Sequence, residues 1–278
     1  MVQLYDVRSN FELREGMVTG MKISILGVGH LGSALLEGLI KAGSAPTDIL
    51  VLDKEERVLS SGGKHPVGAQ SVASTADINE AIDFADAAFI VLKAPVFAEL
   101  AGELRKPVAA EKTIVSFMAG VQLETLREQI GGGAHVQCSI VRAMPSLAIA
   151  VNDGITGYTA APSEVAALFH ALGYAFECKP DEIEKVAAFA SCGLGFAAYL
   201  IDAFARAGEA LGFSHEDTQV IAAQTFRNAV ERGSFAETAQ AVATKGGATE
   251  QGVMHFDASD VFGITAEAMR RSYIKMTT

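Results

Sequence analysis

The pattern of apolar and polar positions changes character once along the chain. Up to about residue 180 short apolar runs alternate with stretches of helical spacing. "KISILG" (22–27) reads as a fully apolar strand, and "LGSALLEGLIKAG" (31–43) as a helix closed by a glycine. "DILVLD" (48–53) is a second strand, and "GAQSVA" (68–73) a candidate third. The helix "TADINEAIDFA" (75–85) follows, then "AAFIVL" (87–92), the helix "PVFAELAGELRKPV" (95–108) and "TIVSFM" (113–118). Next come the helix "QLETLREQI" (122–130) and the strand "HVQCSIVRAM" (135–144). A weaker strand pair, "GITGYTA" (154–160) and "YAFECK" (174–179), flanks the helix "SEVAALFHAL" (163–172). Strands alternating with helices predict an α/β unit whose mainly parallel sheet is covered on both faces. From Asp181 onward only helical spacing is present, enough for roughly five helices. The pattern therefore predicts an extension over 1–20, an α/β domain over 21–180 and an all-helical domain over 181–278.

Composition narrows this picture. At 278 residues two domains fit better than one core, and half of the residues are hydrophobic, so the whole length can be globular. A net charge of -11 argues against nucleic acid or an anionic membrane as partner. The three cysteines, Cys138, Cys178 and Cys192, lack metal-type spacing and are odd in number, which suits a reducing, cytoplasmic setting. The first residues, "MVQLYDVRSNFELREG", hold no apolar stretch long enough for a secretory signal. Met17 and Met21 are alternative starts, which would make residues 1–20 an extension. The longest uncharged run, Val186 to Ile201, ends at Asp202 and is short for a membrane span; it reads as a buried helix. A helix apolar nearly all round needs cover, so the helical domain is expected to form a homodimer or higher homo-oligomer.

One motif carries chemistry by its context. "ILGVGHLG" places Gly27, Gly29 and Gly32 in G-x-G-x-x-G spacing after an apolar strand and at the opening of a helix. The first glycine permits a tight turn, the second lets backbone approach a pyrophosphate, and the third lets helix and strand pack closely. The helix start then faces the phosphates with free N–H groups, including those at His30 and Leu31. Asp53 ends the second strand about twenty residues on, where a carboxylate can accept from ribose hydroxyls. Lys54 and Arg57 beside it suit a 2′-phosphate instead or a solvated surface, so both NADH and NADPH stay open as cofactors. His30 suits a cofactor contact or a surface position. Lys93, ending "FIVLKAP", is expected where the carboxyl end of a strand meets the crevice, or as a solvated lysine. "SFMAGV" ends another strand, so Met118, Ala119 and Gly120 are expected to line the nicotinamide pocket.

A second feature interrupts the helical half. "TKGGATEQG" (244–252) puts Gly246 and Gly247 between two helices, and each weakens a helix by about 1 kcal/mol relative to alanine. The break is either a plain turn or a backbone left bare for a ligand, with the Thr249 hydroxyl aimed at it. Taken together, the glycine loop, "VLKAP", "SFMAGV", "VRAMP" and "TKGGATEQG" resemble, in order and spacing, the motifs of the pyrroline-5-carboxylate reductase family over residues 21–275. The resemblance implies a Rossmann-type domain followed by a helical dimerisation domain, with the active site between subunits. It implies NAD(P)H-dependent reduction of a cyclic imine, 1-pyrroline-5-carboxylate, to proline. The backbone N–H groups of Gly246, Gly247 and Ala248 would receive the substrate carboxylate, and Thr249, the catalytic candidate, would bond the imine nitrogen; Lys245, where the family has proline, suits either a further carboxylate partner or a cap on an exposed turn. Cys192 aligns with a substrate-side serine of the family.

Departures cluster at that substrate end. Ser146 stands for a family asparagine, Cys192 for serine, Leu194 for proline, Phe196 for tyrosine and Lys245 for proline. The positions before the loop become Gln240, Ala241 and Ala243. Loss of hydroxyls and amides weakens discrimination for polar substrate groups. Reduction of another cyclic imine and a catalytically silent nucleotide-binding paralogue are therefore competing readings. A β-hydroxyacid dehydrogenase would need a Lys followed four residues later by Asn on the long helix, and "VAAFASCGLGFAAYLIDAF" (186–204) has neither.

Overall fold

The structure is a computed structural model that describes residues 20–52, 72–131 and 137–278. Eight strands form one sheet: β1 (Ile23–Leu26), β2 (Ile49–Leu52), β3 (Ala73–Thr75), β4 (Ala87–Ile90), β5 (Thr113–Ser116), β6 (Ser139–Pro145), β7 (Gly154–Tyr158) and β8 (Gly173–Glu177). Their order is β3-β2-β1-β4-β5-β6-β7-β8, parallel throughout except for the antiparallel β6–β7 pair. The alternation of side chains across a strand sorts the apolar residues into two layers. Ile23, Ile25, Val51, Phe89 and Val115 face one side, with Leu35 and Leu39 of α1 (His30–Lys41) and Leu168 and Phe169 of α5 (Ser163–Ala171). Leu26, Leu52, Ile90 and Ile114 face the other. There they meet Ile78 and Ile82 of α2 (Ile78–Phe84), Phe97 of α3 (Ala94–Ala101) and Leu126 of α4 (Leu123–Gln129). Strands buried on both faces read as unbroken apolar runs, as "KISILG" and "AAFIVL" do.

Local chemistry ends the elements. Asp77 caps α2 by accepting from the Asn79 N–H at 2.8 Å. The bonds from Asn79, and behind them Arg105, hold the Asp77 carboxyl below its ordinary range. The helix expected over 95–108 stops at Ala101: Gly102 turns the chain, and the Arg105 N–H is drawn to the Asn79 side chain at 2.8 Å. Of the strand expected over 68–73, Ala73 opens β3, and residues 68–71 lie outside the described residues, as do residues 1–19.

The chain divides into two compact units. The sheet unit runs to Ser191 and includes Tyr273–Thr278; the helical unit is Cys192–Ser272. The sheet unit keeps α6 (Ile183–Val186) and the π turn Ala187–Ser191 because Ile183 and Ala187 pack on Met144, and Ser191 Oγ donates to the Pro145 carbonyl at 2.8 Å. The remaining helices are α7 (Cys192–Ala210), α8 (His215–Glu231), α9 (Phe235–Val242), α10 (Ala248–Ala258) and α11 (Val261–Thr277). The apolar run expected to be a buried helix is not buried by this chain alone: Phe189, Leu194, Tyr199 and Leu200 are exposed. The helix Pro180–Ala210 is, by length and composition, apolar enough to cross a membrane.

Candidate functional site

The glycine loop joins β1 to α1, and each glycine is there for a different reason. Gly27 adopts φ +103°, closed to most side chains, and a Cβ on it would press into Leu92 and the Val91 carbonyl. A Cβ on Gly32 would fall 2.0 Å from the Gly27 carbonyl oxygen, so helix and loop touch backbone to backbone. A Cβ on Gly29 would meet nothing within 4 Å among the described residues. That is the position where backbone is left bare beside open space. The first helical bond of α1 runs from the Ser33 N–H to the Gly29 carbonyl at 2.8 Å. The N–H groups of His30, Leu31 and Gly32 precede it and have no partner inside the helix.

This loop opens onto a cleft of about 1040 Å³. It is lined by Gly27, Gly29, His30 and Lys93, four of the residues expected at the cofactor. Lys93 holds the N-cap of α3 and so stands at the carboxyl end of β4. Because β1 is flanked by β2 and β4, the cleft lies outside the strand ends where the chain order reverses, the usual ligand crevice of such sheets. Bare backbone, open space and a helix start fit a dinucleotide pyrophosphate. Asp53 and Lys54, with Arg57, lie outside the described residues.

One expectation for this end needs correction, that of Met118. The Leu31 side chain packs against the hydrophobic core, so only its backbone is available to the loop. Met118 is buried among Leu26, Phe97 and Ile114 rather than lining a pocket. Ala119 and Gly120 are exposed and are not among the residues lining the cleft. Sequence reasoning missed Ser33, Val96, Leu147 and Ala150, which do line it. Ser33 is detectable as the residue one helical turn after His30. Leu147 and Ala150 arrive through the fold from the turn after β6, and local spacing carries no sign of them.

The helical unit carries the other candidates. Gly246 has φ +76°, and a Cβ on Gly247 would fall 2.6 Å from Thr244 Oγ1. The Gly247 N–H donates to the Thr244 carbonyl at 2.8 Å, closing a turn. Gly247 then caps α10, with Ala248 and Thr249 in its first turn. The glycine pair is thus explained by the turn itself, and the same turn sets the exposed Thr249 at a helix start. Glu250, unforeseen, folds back so that its Oε2 accepts from the Gly246 N–H at 2.7 Å. Lys245 is exposed and Cys192 is half-buried with a free thiol. Ser146 is buried, and its hydroxyl accepts from the Ile155 N–H at 3.0 Å. Burial pushes the Cys138 and Cys178 thiols up, so neither is a ready nucleophile.

Comparisons with known proteins follow the same division. Residues 22–120 match the family described as "NADP oxidoreductase coenzyme F420-dependent". Residues 180–278 match "Pyrroline-5-carboxylate reductase dimerisation". A pyrroline-5-carboxylate reductase of Mycobacterium tuberculosis is 31% identical over 226 residues, which cover 75% of this chain and 72% of that protein. The chain belongs to the pyrroline-5-carboxylate reductase family. Its relative from Methanosarcina acetivorans is 26% identical over 264 residues, 90% of this chain and 95% of that one. The fold is shared with the crystal structure of Plasmodium falciparum pyrroline carboxylate reductase with NADP bound, at TM-score 0.81 and 20% identity over 93% of this chain and 97% of that one. Family membership through a dimerisation domain makes the chain a subunit of a homo-oligomer, which accounts for the uncovered face of Pro180–Ala210.

Proposed function

We propose that the protein is an NAD(P)H-dependent imine reductase that converts 1-pyrroline-5-carboxylate to L-proline. The observation that carries this reading is the bare Gly29 backbone before three free N–H groups, on a cleft of dinucleotide dimensions, in a member of this family. In this reading Gly27, Gly29 and Gly32 shape the pyrophosphate loop, and the N–H groups of His30, Leu31 and Gly32 bind its charge. Lys93 contributes the cation at the crevice rim. Asp53 and Lys54 set the choice at the adenosine ribose. The bound nicotinamide supplies hydride to the imine carbon. At the substrate end, Lys245 and the backbone of Gly246, Gly247 and Ala248 take the carboxylate, with Cys192 near the substrate. The Thr249 hydroxyl bonds the imine nitrogen: a neutral imine accepts from it and takes its proton from solvent as hydride arrives, whereas an imine that arrives protonated donates its N–H to it. No strong acid is required if the imine arrives protonated, so the protein acts mainly by positioning. On this reading the enzyme works in the cytoplasm.

A second reading keeps the chemistry and changes the imine. It is favoured by Ser146, whose hydroxyl is engaged by backbone and not offered to a ligand, and by Leu147 in the cleft lining. Oxidation of NADPH and NADH, measured with 1-pyrroline-5-carboxylate and a panel of cyclic imines lacking the carboxylate, tests both. Turnover is expected with 1-pyrroline-5-carboxylate; turnover confined to uncharged imines would select the second reading. Nucleotide binding without turnover of any imine would leave neither.

A further inference from the structure

A buried charged cluster lies under the turn that follows β5. Arg142, on β6, is wholly buried, and Glu184, in α6, nearly so. Glu184 Oε1 accepts from Arg142 Nη2 and also from the backbone N–H of Gly120, the latter at 3.2 Å. Arg142 Nη1 donates to the Pro180 carbonyl at 3.3 Å. From the other side a Cβ on Gly120 would fall 2.3 Å from the Met276 carbonyl oxygen, and its φ is +73°. Gly120 is thus held between a carboxylate and a main-chain carbonyl, four residues beyond the end of β5 at Ser116.

Stability alone does not call for such a cluster. A buried ion pair can often be replaced by apolar residues at no loss, so its value lies in the conformation it selects. Here it selects the orientation of one peptide. A trans peptide is planar, with its C=O opposed to its N–H. With the Gly120 N–H turned in to Glu184, the Ala119 carbonyl is turned away from the buried pair. Ala119 is exposed, on the strand-end side of the sheet where ligands sit.

We infer that Arg142 and Glu184 are positioning residues that fix the Ala119–Gly120 peptide so that it serves the nicotinamide half of the cofactor and not the adenosine half. The inference rests on the dinucleotide reading above. The test compares binding of NADPH with that of ADP-ribose carrying the same 2′-phosphate, which lacks only the nicotinamide, to the full-length oligomer. In the paired variant Arg142→Leu with Glu184→Leu, which removes both charges and the acceptor together, NADPH is expected to bind about tenfold more weakly, the value of one lost charge-assisted bond. Affinity for this 2′-phosphorylated ADP-ribose is expected to be unchanged. Glu184→Gln keeps an oxygen for Gly120 and is expected to lose less of the NADPH affinity than the paired variant. Equal weakening of both ligands, or of neither, would overturn the positioning role and leave the dinucleotide reading standing. Failure of the unmodified protein to bind the 2′-phosphorylated ADP-ribose would overturn that reading itself.

Discussion

Phe89, Phe97 and Phe169 in the sheet unit are each at most 1% exposed, whereas Phe235, Phe256 and Phe262 in the helical unit are 63%, 59% and 83% exposed. The residue type is the same; what differs is how many layers surround it. The sheet has helices on both faces, and every strand but the exposed edge strand β3 finds a cover within the chain. Among the residues of the helical unit, Ala205, Thr218 and Ala222 alone are buried, all small. A core made of such residues cannot hold a unit of this size together. The helical unit is therefore half of a core, completed by another subunit, while the sheet unit is complete.

The strongest test of that contrast is the state of assembly. Sedimentation or small-angle scattering of the purified chain at micromolar concentration is expected to give a dimer or a larger closed species, with unfolding that shifts with protein concentration. Leu200→Glu puts a charge on the uncovered face and is expected to drive the species toward dissociation, with loss of activity. A folded monomer with helical content intact would remove the contrast, because the helical unit would then be complete by itself.

Within the helical unit, the expected effect of Thr249 is next in size. Thr249→Ala is expected to lower kcat/KM about 10²-fold, the low end for assistance at a group that gains a proton. Thr249→Ser is expected to keep much of the rate, and neither change should alter NADPH affinity. Wild-type kcat/KM in Thr249→Ala would mean that the 244–252 loop is a turn and nothing more.

The two units were not equally legible in the sequence. The glycine loop could be read in full because its constraints are local: strand, turn and helix start follow within ten residues of each other, and Gly27 and Gly32 touch each other. Met118 reads as a pocket residue because it ends an apolar strand; its side chain points inward, and period-two alternation within "SFMAGV" is too short to tell one face from the other. Glu184 carried no sequence signal, since its partners Arg142 and Gly120 lie 42 and 64 residues away in the chain. The apolar helix was read as buried because its composition demands cover; the sequence of one chain does not say that the cover is another subunit. Why Leu194 and Phe196 replace the family's proline and tyrosine is not explained by the structure.

The contrast sharpens inside the glycine loop, where two substitutions of equal size are expected to fail differently. Gly32→Ala places a methyl 2.0 Å from the Gly27 carbonyl, so loop and helix must separate, and thermal stability and NADPH binding are expected to fall together. Gly29→Ala meets no atom of the described residues within 4 Å, so the melting temperature is expected to hold. On the reading proposed above, the methyl instead enters the pyrophosphate's place, and NADPH binding is expected to weaken by about tenfold to a hundredfold. Paired melting curves and binding titrations separate the two. Equal losses of stability would show that the room beside Gly29 is not kept for a ligand.

The smallest expected effect concerns the choice between the two nicotinamide cofactors. Asp53 follows directly on β2, and a carboxylate there both accepts from the ribose hydroxyls and repels a 2′-phosphate. On the reading proposed above, Lys54 and Arg57 oppose that repulsion, which is why the use of both cofactors is expected. Asp53→Ser removes the negative charge and leaves the two cations in place. The ratio of kcat/KM for NADPH over NADH is expected to rise by about twofold to fivefold, the worth of one exposed charge contact. The sign follows from charge alone, and the modest size is that of a solvent-screened contact. Raising the ionic strength is expected to shrink the shift, because a screened Coulomb contact weakens while a hydrogen bond to ribose does not. A ratio that does not move at low salt would place Asp53 away from the ribose and hand the choice of cofactor to other residues of the sheet unit.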